Sequence, residues 1–194
     1  MSSNALRLAV IIGSVRQGRF GPTVGHWVAN EAERFERFEV DPIDLAEFQL
    51  PLDMGDESGP QAQESGDELR RRLGAADAFV VVTPEYNRSF PAALKNVIDH
   101  HNVEWYAKPV GLVSYGGIAG GLHAVENLRQ VFAEVRAMTV RDTVSFHGAQ
   151  AAFDEEGLPV DQAGSSTAAK VMLEDLTWWT RALAEAKEKR PYLG

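Results

Sequence analysis

Short apolar runs recur along the chain, and each is followed by an amphipathic or charged stretch. Leu6-Arg7-Leu8-Ala9-Val10-Ile11-Ile12 reads as a first strand, and Phe38 to Asp44 alternates like a second, with Pro42 marking an end or an edge. Phe79-Val80-Val81-Val82 has no polar alternation, which suits a strand buried on both faces at the centre of a parallel sheet. Pro109 to Ser114 reads as a fourth strand, and Met138-Thr139-Val140 with Val144-Ser145-Phe146 as a split or extended fifth. Between the runs, Val24, Trp27, Val28 and Phe35 keep helical spacing, predicting a helix over Pro22–Arg37. Further helices are predicted over Gln63–Ala75, Pro91–Asp99 and Leu122–Arg136. A long C-terminal helix carries Ala169, Met172, Leu173, Leu176, Trp179 and Leu183. Leu45–Pro60 and His147–Gly164 read as loops. Strand and helix alternate five times with no repeat and no break in composition. The expectation is one three-layer α/β domain over residues 1–194, with a five-stranded parallel sheet in the order 2-1-3-4-5.

That strand order brings three loops to one crevice at the carboxyl edge of the sheet, beside the switch point between strands one and three. The first loop, Gly13-Ser14-Val15-Arg16-Gln17-Gly18-Arg19-Phe20-Gly21, combines glycines, a hydroxyl and two guanidinium groups just before a helix start. Those are the donors a phosphate needs. It lacks the Gly-Lys-Ser/Thr of a Walker loop and the Gly-x-Gly-x-x-Gly dinucleotide pattern. A solvated loop with two surface arginines is the plainer reading. The second loop, Thr83-Pro84-Glu85-Tyr86-Asn87-Arg88-Ser89-Phe90-Pro91, is a stiff polar turn that places an aromatic ring and backbone amides at the sheet edge. The third, Ser114-Tyr115-Gly116-Gly117, adds an aromatic and a backbone stripped of side chains. The plain alternatives are a rigid connection and a tight strand-to-helix turn. Phosphate donors at one end and flat loops at the other suit a mononucleotide with a large ring, such as flavin mononucleotide (FMN).

Composition narrows the field. The 194 residues carry 19 Lys and Arg against 28 Asp and Glu, a net charge of −9, so the long-range field opposes nucleic acid. The absence of cysteine excludes disulfides, thiolate metal sites and cysteine nucleophiles. No apolar run approaches the ~20 residues of a membrane-spanning helix, and Met1 to Arg7 does not read as a secretory signal. A cytoplasmic protein without membrane contact is the expectation.

The joint pattern Gly13-Ser14-x-Arg16, Pro84-Glu85-Tyr86-Asn87 with Leu94-Lys95-Asn96, and Ser114-Tyr115-Gly116-Gly117 resembles the NADPH-dependent FMN reductase family over roughly residues 6–140. The resemblance implies a flavodoxin-like fold. It implies an FMN phosphate held by Gly13, Ser14, Arg16, Arg19 and Phe20. It implies an isoalloxazine resting on Pro84, Glu85, Tyr86 and Asn87 and flanked by Ser114, Tyr115, Gly116 and Gly117. Many members carry Ser in place of Arg19, followed by Phe and Asn, whereas this chain reads Arg19-Phe20-Gly21. The implied activity is electron transfer from NADPH or NADH through FMN, by a ping-pong mechanism, to a quinone, free flavin, azo compound or chromate. An electron carrier that binds FMN without oxidising nicotinamide is the rival; its phosphate loop is usually rich in hydroxyls rather than arginines.

Other clusters are read as structural. His100 and His101 point about 100° apart on a helix, which suits a polar helix end or a subunit contact better than a metal site. Asp53, Asp56 and Glu57 lack the EF-hand pattern and read as solvated loop. Trp105-Tyr106 reads either as a subunit contact or as a cap on the core. Trp178-Trp179 reads as core plus interface. These aromatics outside the strands predict a homodimer or homotetramer.

Overall fold

The computed structural model describes residues 6–52 and 59–193; the acidic cluster of Asp53, Asp56 and Glu57 lies outside them. Five parallel strands run β1 (Leu6–Ile12), β2 (Phe38–Asp44), β3 (Ala78–Pro84), β4 (Pro109–Tyr115) and β5 (Met138–Phe146), in the order β2-β1-β3-β4-β5. This is the expected doubly wound order, with its reversal between β1 and β3. The helices are α1 (Gly21–Arg34), α2 (Pro60–Ala75), α3 (Ala92–His100), α4 (Leu122–Glu134) and α5 (Gln162–Lys189).

Side-chain alternation along the strands divides the core. Leu8, Val10, Val80, Val82 and Val113 face α1 and α5. Ala9, Ile11, Phe79, Val81 and Leu112 face α2, α3 and α4. Every residue of β3 and β4 is buried, as a central parallel strand covered on both faces requires. Gly111 in β4 lets Met172 of α5 close on the sheet: a Cβ there would lie 3.1 Å from the sulfur.

Several boundaries differ from expectation. β3 runs on through Thr83 and Pro84, because pairing of Thr83 with Ser114 and Pro84 with Tyr115 continues the ladder past the apolar run. β5 is continuous, and its apparent split is a register shift between Val110 and Leu112 that leaves Val140, Arg141 and Asp142 out of the paired positions. α2 begins at Pro60 rather than Gln63, with the proline in the first-turn position that tolerates a missing N–H. A 3-10 turn stands over Leu45–Glu47, at the start of the stretch read as loop. Trp105 is fully buried, with its ring 4.7 Å from Phe79 and 5.6 Å from Phe132, and its indole N–H donates to Ile98 O. Of the two readings of Trp105-Tyr106, the core cap therefore holds for Trp105. Tyr106 packs edge-on against Tyr192 and under the Arg136 guanidinium. Trp178 is 62% exposed on α5. Among the described residues no helix is long and apolar enough to cross a membrane.

Candidate active site

The three loops leave β1, β3 and β4, adjacent strands at the reversal of the sheet, and backbone hydrogen bonds tie them together. Gly13 N donates to Val82 O at 2.9 Å, Glu85 N to Tyr115 O at 3.2 Å, and Gly116 N to Phe146 O at 3.1 Å. Each loop starts from a rigid strand end, so its position is set by the sheet.

The first loop separates its two arginines. Arg16 is exposed, has no carboxylate partner among the described residues, and stacks its guanidinium 3.5 Å from the Tyr86 ring centroid. It therefore spans from the first loop to the second. Arg19 is engaged elsewhere: it forks onto Asp44 at the end of β2, with Nη1 to Oδ1 at 2.8 Å and Nη2 to Oδ2 at 2.6 Å. The Asp44 hydrogen bond raises its pKa above the ordinary arginine value. Arg19 is thus not presented to the crevice as a free cation. Ser14 is fully buried, and its hydroxyl accepts from Tyr115 Oη at 3.2 Å. The backbone amides of residues 15–18 donate to nothing among the described residues, which leaves them available to an anion. Phe20 caps α1 and packs edge-on against Tyr115 and Phe153. Its ring belongs to the wall behind the loop.

The second loop closes as a tight two-residue turn. Tyr86 N donates to Ser89 O at 2.8 Å and Ser89 N to Tyr86 O at 3.0 Å, around Asn87 and Arg88 with φ of 49° and 66°. Two successive left-handed residues make this a mirror-image turn, normally a place for glycine. The geometry uses up the amides of Glu85 and Tyr86, while the Asn87 amide donates to nothing among the described residues. Helix α4 holds the turn from the other side. The Glu85 carboxylate accepts from His123 N at 3.2 Å and lies 3.0 Å from His123 Nδ1, and Asn127 Nδ2 donates to Arg88 O at 2.9 Å.

The third loop contributes backbone rather than side chains. Ser114 is buried and donates to Gly120 O at 2.8 Å. Tyr115 was expected to flank a planar ligand. Its ring is instead buried beneath the first loop, where it runs back under Ser14, and burial pushes its hydroxyl pKa up to about 12. Gly116 sits close to Gly121 N, while Gly117 has open space where a side chain would stand. The exposed Ile118 follows at the lip.

A cradle of loop amides without partners among the described residues, with the Arg16 guanidinium held over Tyr86 at one end and an open glycine backbone at the other, fits a flat ring carrying a phosphate. The NADPH-dependent FMN reductase family profile matches residues 6–151. The chain belongs to this family. An NAD(P)H-dependent FMN reductase of Schizosaccharomyces pombe is 41% identical over 122 residues, 59% of this chain and 60% of that protein, so the matched stretch spans less than two thirds of that relative. An NADPH azoreductase of a Bacillus species is 31% identical over 194 residues, covering 97% of this chain and 99% of that one. Among solved structures, the flavoenzyme NAD(P)H:(acceptor) oxidoreductase FerB of Paracoccus denitrificans superposes with a TM-score of 0.71 at 21% identity, over 91% of this chain and 98% of that one. That likeness speaks to the flavodoxin-like fold.

Reading the sequence alone misses Asp44, His123 and Asn127. Asp44 meets Arg19 across 25 positions and His123 meets Glu85 across 38, and neither lies in a local pattern. The one local hint is the Arg19-Phe20-Gly21 departure from the family run, which signals a changed partner without naming it.

Proposed function

We propose that this chain is an NAD(P)H-dependent FMN oxidoreductase that passes electrons to a small acceptor such as a quinone, an azo compound, free flavin or chromate. The observation that carries this reading is the pairing of Arg16, which has no carboxylate partner among the described residues, and of loop amides that donate to none of those residues, with the open backbone at Gly117. Arg16 and the amides of residues 15–18 would hold the phosphate. The Asn87 amide and the Gly116-Gly117 backbone would border the ring. When bound, FMN would accept hydride from the nicotinamide and release electrons to the acceptor. The protein positions the ring and leaves one face accessible, and no side chain is assigned as acid or base. Ping-pong order, a cytoplasmic location and self-association belong to the same proposal. The motive for association is Trp178 at 62% exposure with Val171 at 45%, two turns apart on one face of α5.

The test is anaerobic mixing with NADPH or NADH, then with an acceptor panel. The flavin should bleach within seconds and recolour with quinone. Gly117→Trp should keep FMN yet lose most of the bleaching, because hydride transfer needs the donor carbon within about 3.5 Å. Flavin that stays oxidised under excess NADPH and NADH would replace the reductase with an electron carrier. Arg16→Ala should cost about 2 kcal/mol of FMN binding, a charge-assisted contact, and leave riboflavin binding unchanged. A monomer mass by light scattering with FMN bound would remove the association proposal.

A further inference from the structure

Ser14, the second residue of the anion loop, is gripped at both of its oxygens. Arg19 Nη1 donates to the Ser14 carbonyl at 2.9 Å while its fork stays on Asp44. Tyr115 Oη donates to the Ser14 hydroxyl at 3.2 Å from below. Gly21, at the start of α1, closes over that second contact. A Cβ there would press onto Ser14 Oγ and lie 2.9 Å from Tyr115 Oη.

The grip is built from shielded parts. The Arg19 and Asp44 side chains are 17% and 19% exposed, and Asp44 Oδ1 is itself fixed by accepting from Ala46 N at 3.0 Å. A planar guanidinium is one of the few groups that can bridge a carboxylate and a carbonyl at once. On charge alone Asp44 is out of place, because a carboxylate near an anion site lowers the local positive potential. Its contribution must come through what it holds. With Tyr115 pushed up to about 12 by burial, that hydroxyl stays protonated and remains a donor at every physiological pH.

We propose that Asp44 and Tyr115 are positioning residues of the anion loop: Asp44 through Arg19, and Tyr115 directly, fix Ser14 so that Arg16 and the amides of residues 15–18 converge on one phosphate monoester. The proposal rests on the phosphate reading of this loop and assigns Arg19 to the brace rather than to the ligand. It makes a prediction opposite in sign to simple electrostatics. If Asp44 merely diverted Arg19, then Asp44→Asn would free a guanidinium and tighten FMN binding. If Asp44 braces the loop, the same change weakens it.

The measurement is calorimetric binding of FMN and of riboflavin to flavin-stripped full-length protein. Wild type should prefer FMN. Asp44→Asn should lower the FMN-to-riboflavin affinity ratio roughly tenfold, the size of a lost charge-assisted hydrogen bond. Asp44→Glu should recover part of it. Tyr115→Phe removes a single oxygen from a packed ring, keeps the fold, and should lower the same ratio several-fold. General loosening of the protein would weaken both flavins alike and leave the ratio in place. An unchanged or increased ratio in Asp44→Asn overturns the brace while the phosphate reading stands, and an unchanged ratio in Tyr115→Phe removes the lower contact. Equal wild-type affinities for the two flavins overturn the phosphate reading and the brace with it.

Discussion

His101 makes the protein's stability depend on pH in a way that one substitution should remove. It follows the last residue of α3, the helix that leaves the Pro84–Pro91 turn, and it is 1% exposed. Neither ring nitrogen has a hydrogen-bond partner among the described residues. Burial lowers its pKa from the usual 6.5 to about 4; nearby Glu104 opposes the shift, while Arg70 and His100 add to it. The folded protein thus keeps His101 neutral at pH values where the unfolded chain protonates it. Stability from this group is complete above pH 6.5 and drains away as the pH falls toward 4. At 1.36 kcal/mol per unit, the loss reaches about 2 kcal/mol at pH 5 and about 3 kcal/mol at pH 4. His101→Leu takes away the titration and the two orphaned nitrogens, whose burial costs roughly 1–3 kcal/mol when unpaired. Urea unfolding of both proteins at pH 8 and pH 5 measures the effect. The wild type should lose about 2 kcal/mol more than the variant between the two pH values, and the variant should be no less stable at pH 8. Equal losses in the two proteins would refute the reasoning, since His101 would then titrate alike folded and unfolded.

Lys108 carries a related signature at higher pH: it is buried, donates to Leu73 O and Gly74 O at the end of α2, and burial lowers its pKa to about 8. Its contribution to stability should grow as the pH rises from 8 to 10.5, and denaturant titrations should show that growth missing in Lys108→Met. Gly21→Ala would drive a methyl group onto Ser14 Oγ and Tyr115 Oη, so it should cost about 1–3 kcal/mol of stability as overpacking, read from the urea midpoint, and weaken FMN more than riboflavin. Arg88 stands at φ 66° in the turn after β3, and Arg88→Gly should raise stability by up to about 1 kcal/mol in thermal unfolding by relieving that strain.

The architecture was largely legible in the chain itself. Unbroken apolar runs at Phe79–Val82 and Pro109–Val113, separated by helical periodicity, have few solutions other than a parallel sheet covered on both faces. Once the order 2-1-3-4-5 follows, the three loops meet at one edge, because strand ends in such a sheet are fixed relative to each other. Local pattern also put Arg16 and the glycines of the third loop just past strand ends, where the structure has them. It could not apportion partners. Arg16 and Arg19 look alike in sequence, three positions apart, yet one stacks on Tyr86 and the other is clamped to Asp44. Tyr86 and Tyr115 look like two walls of one slot, yet the second is buried under Ser14. Trp105 reads equally as subunit contact and as core cap, and only the packing puts it in the core. Each of these outcomes depends on a neighbour 25 to 101 positions away, brought close by the packing of strands and helices. Periodicity records which face of an element is buried, whereas hydrogen-bond partnership is decided by distances that exist only after the sheet has formed.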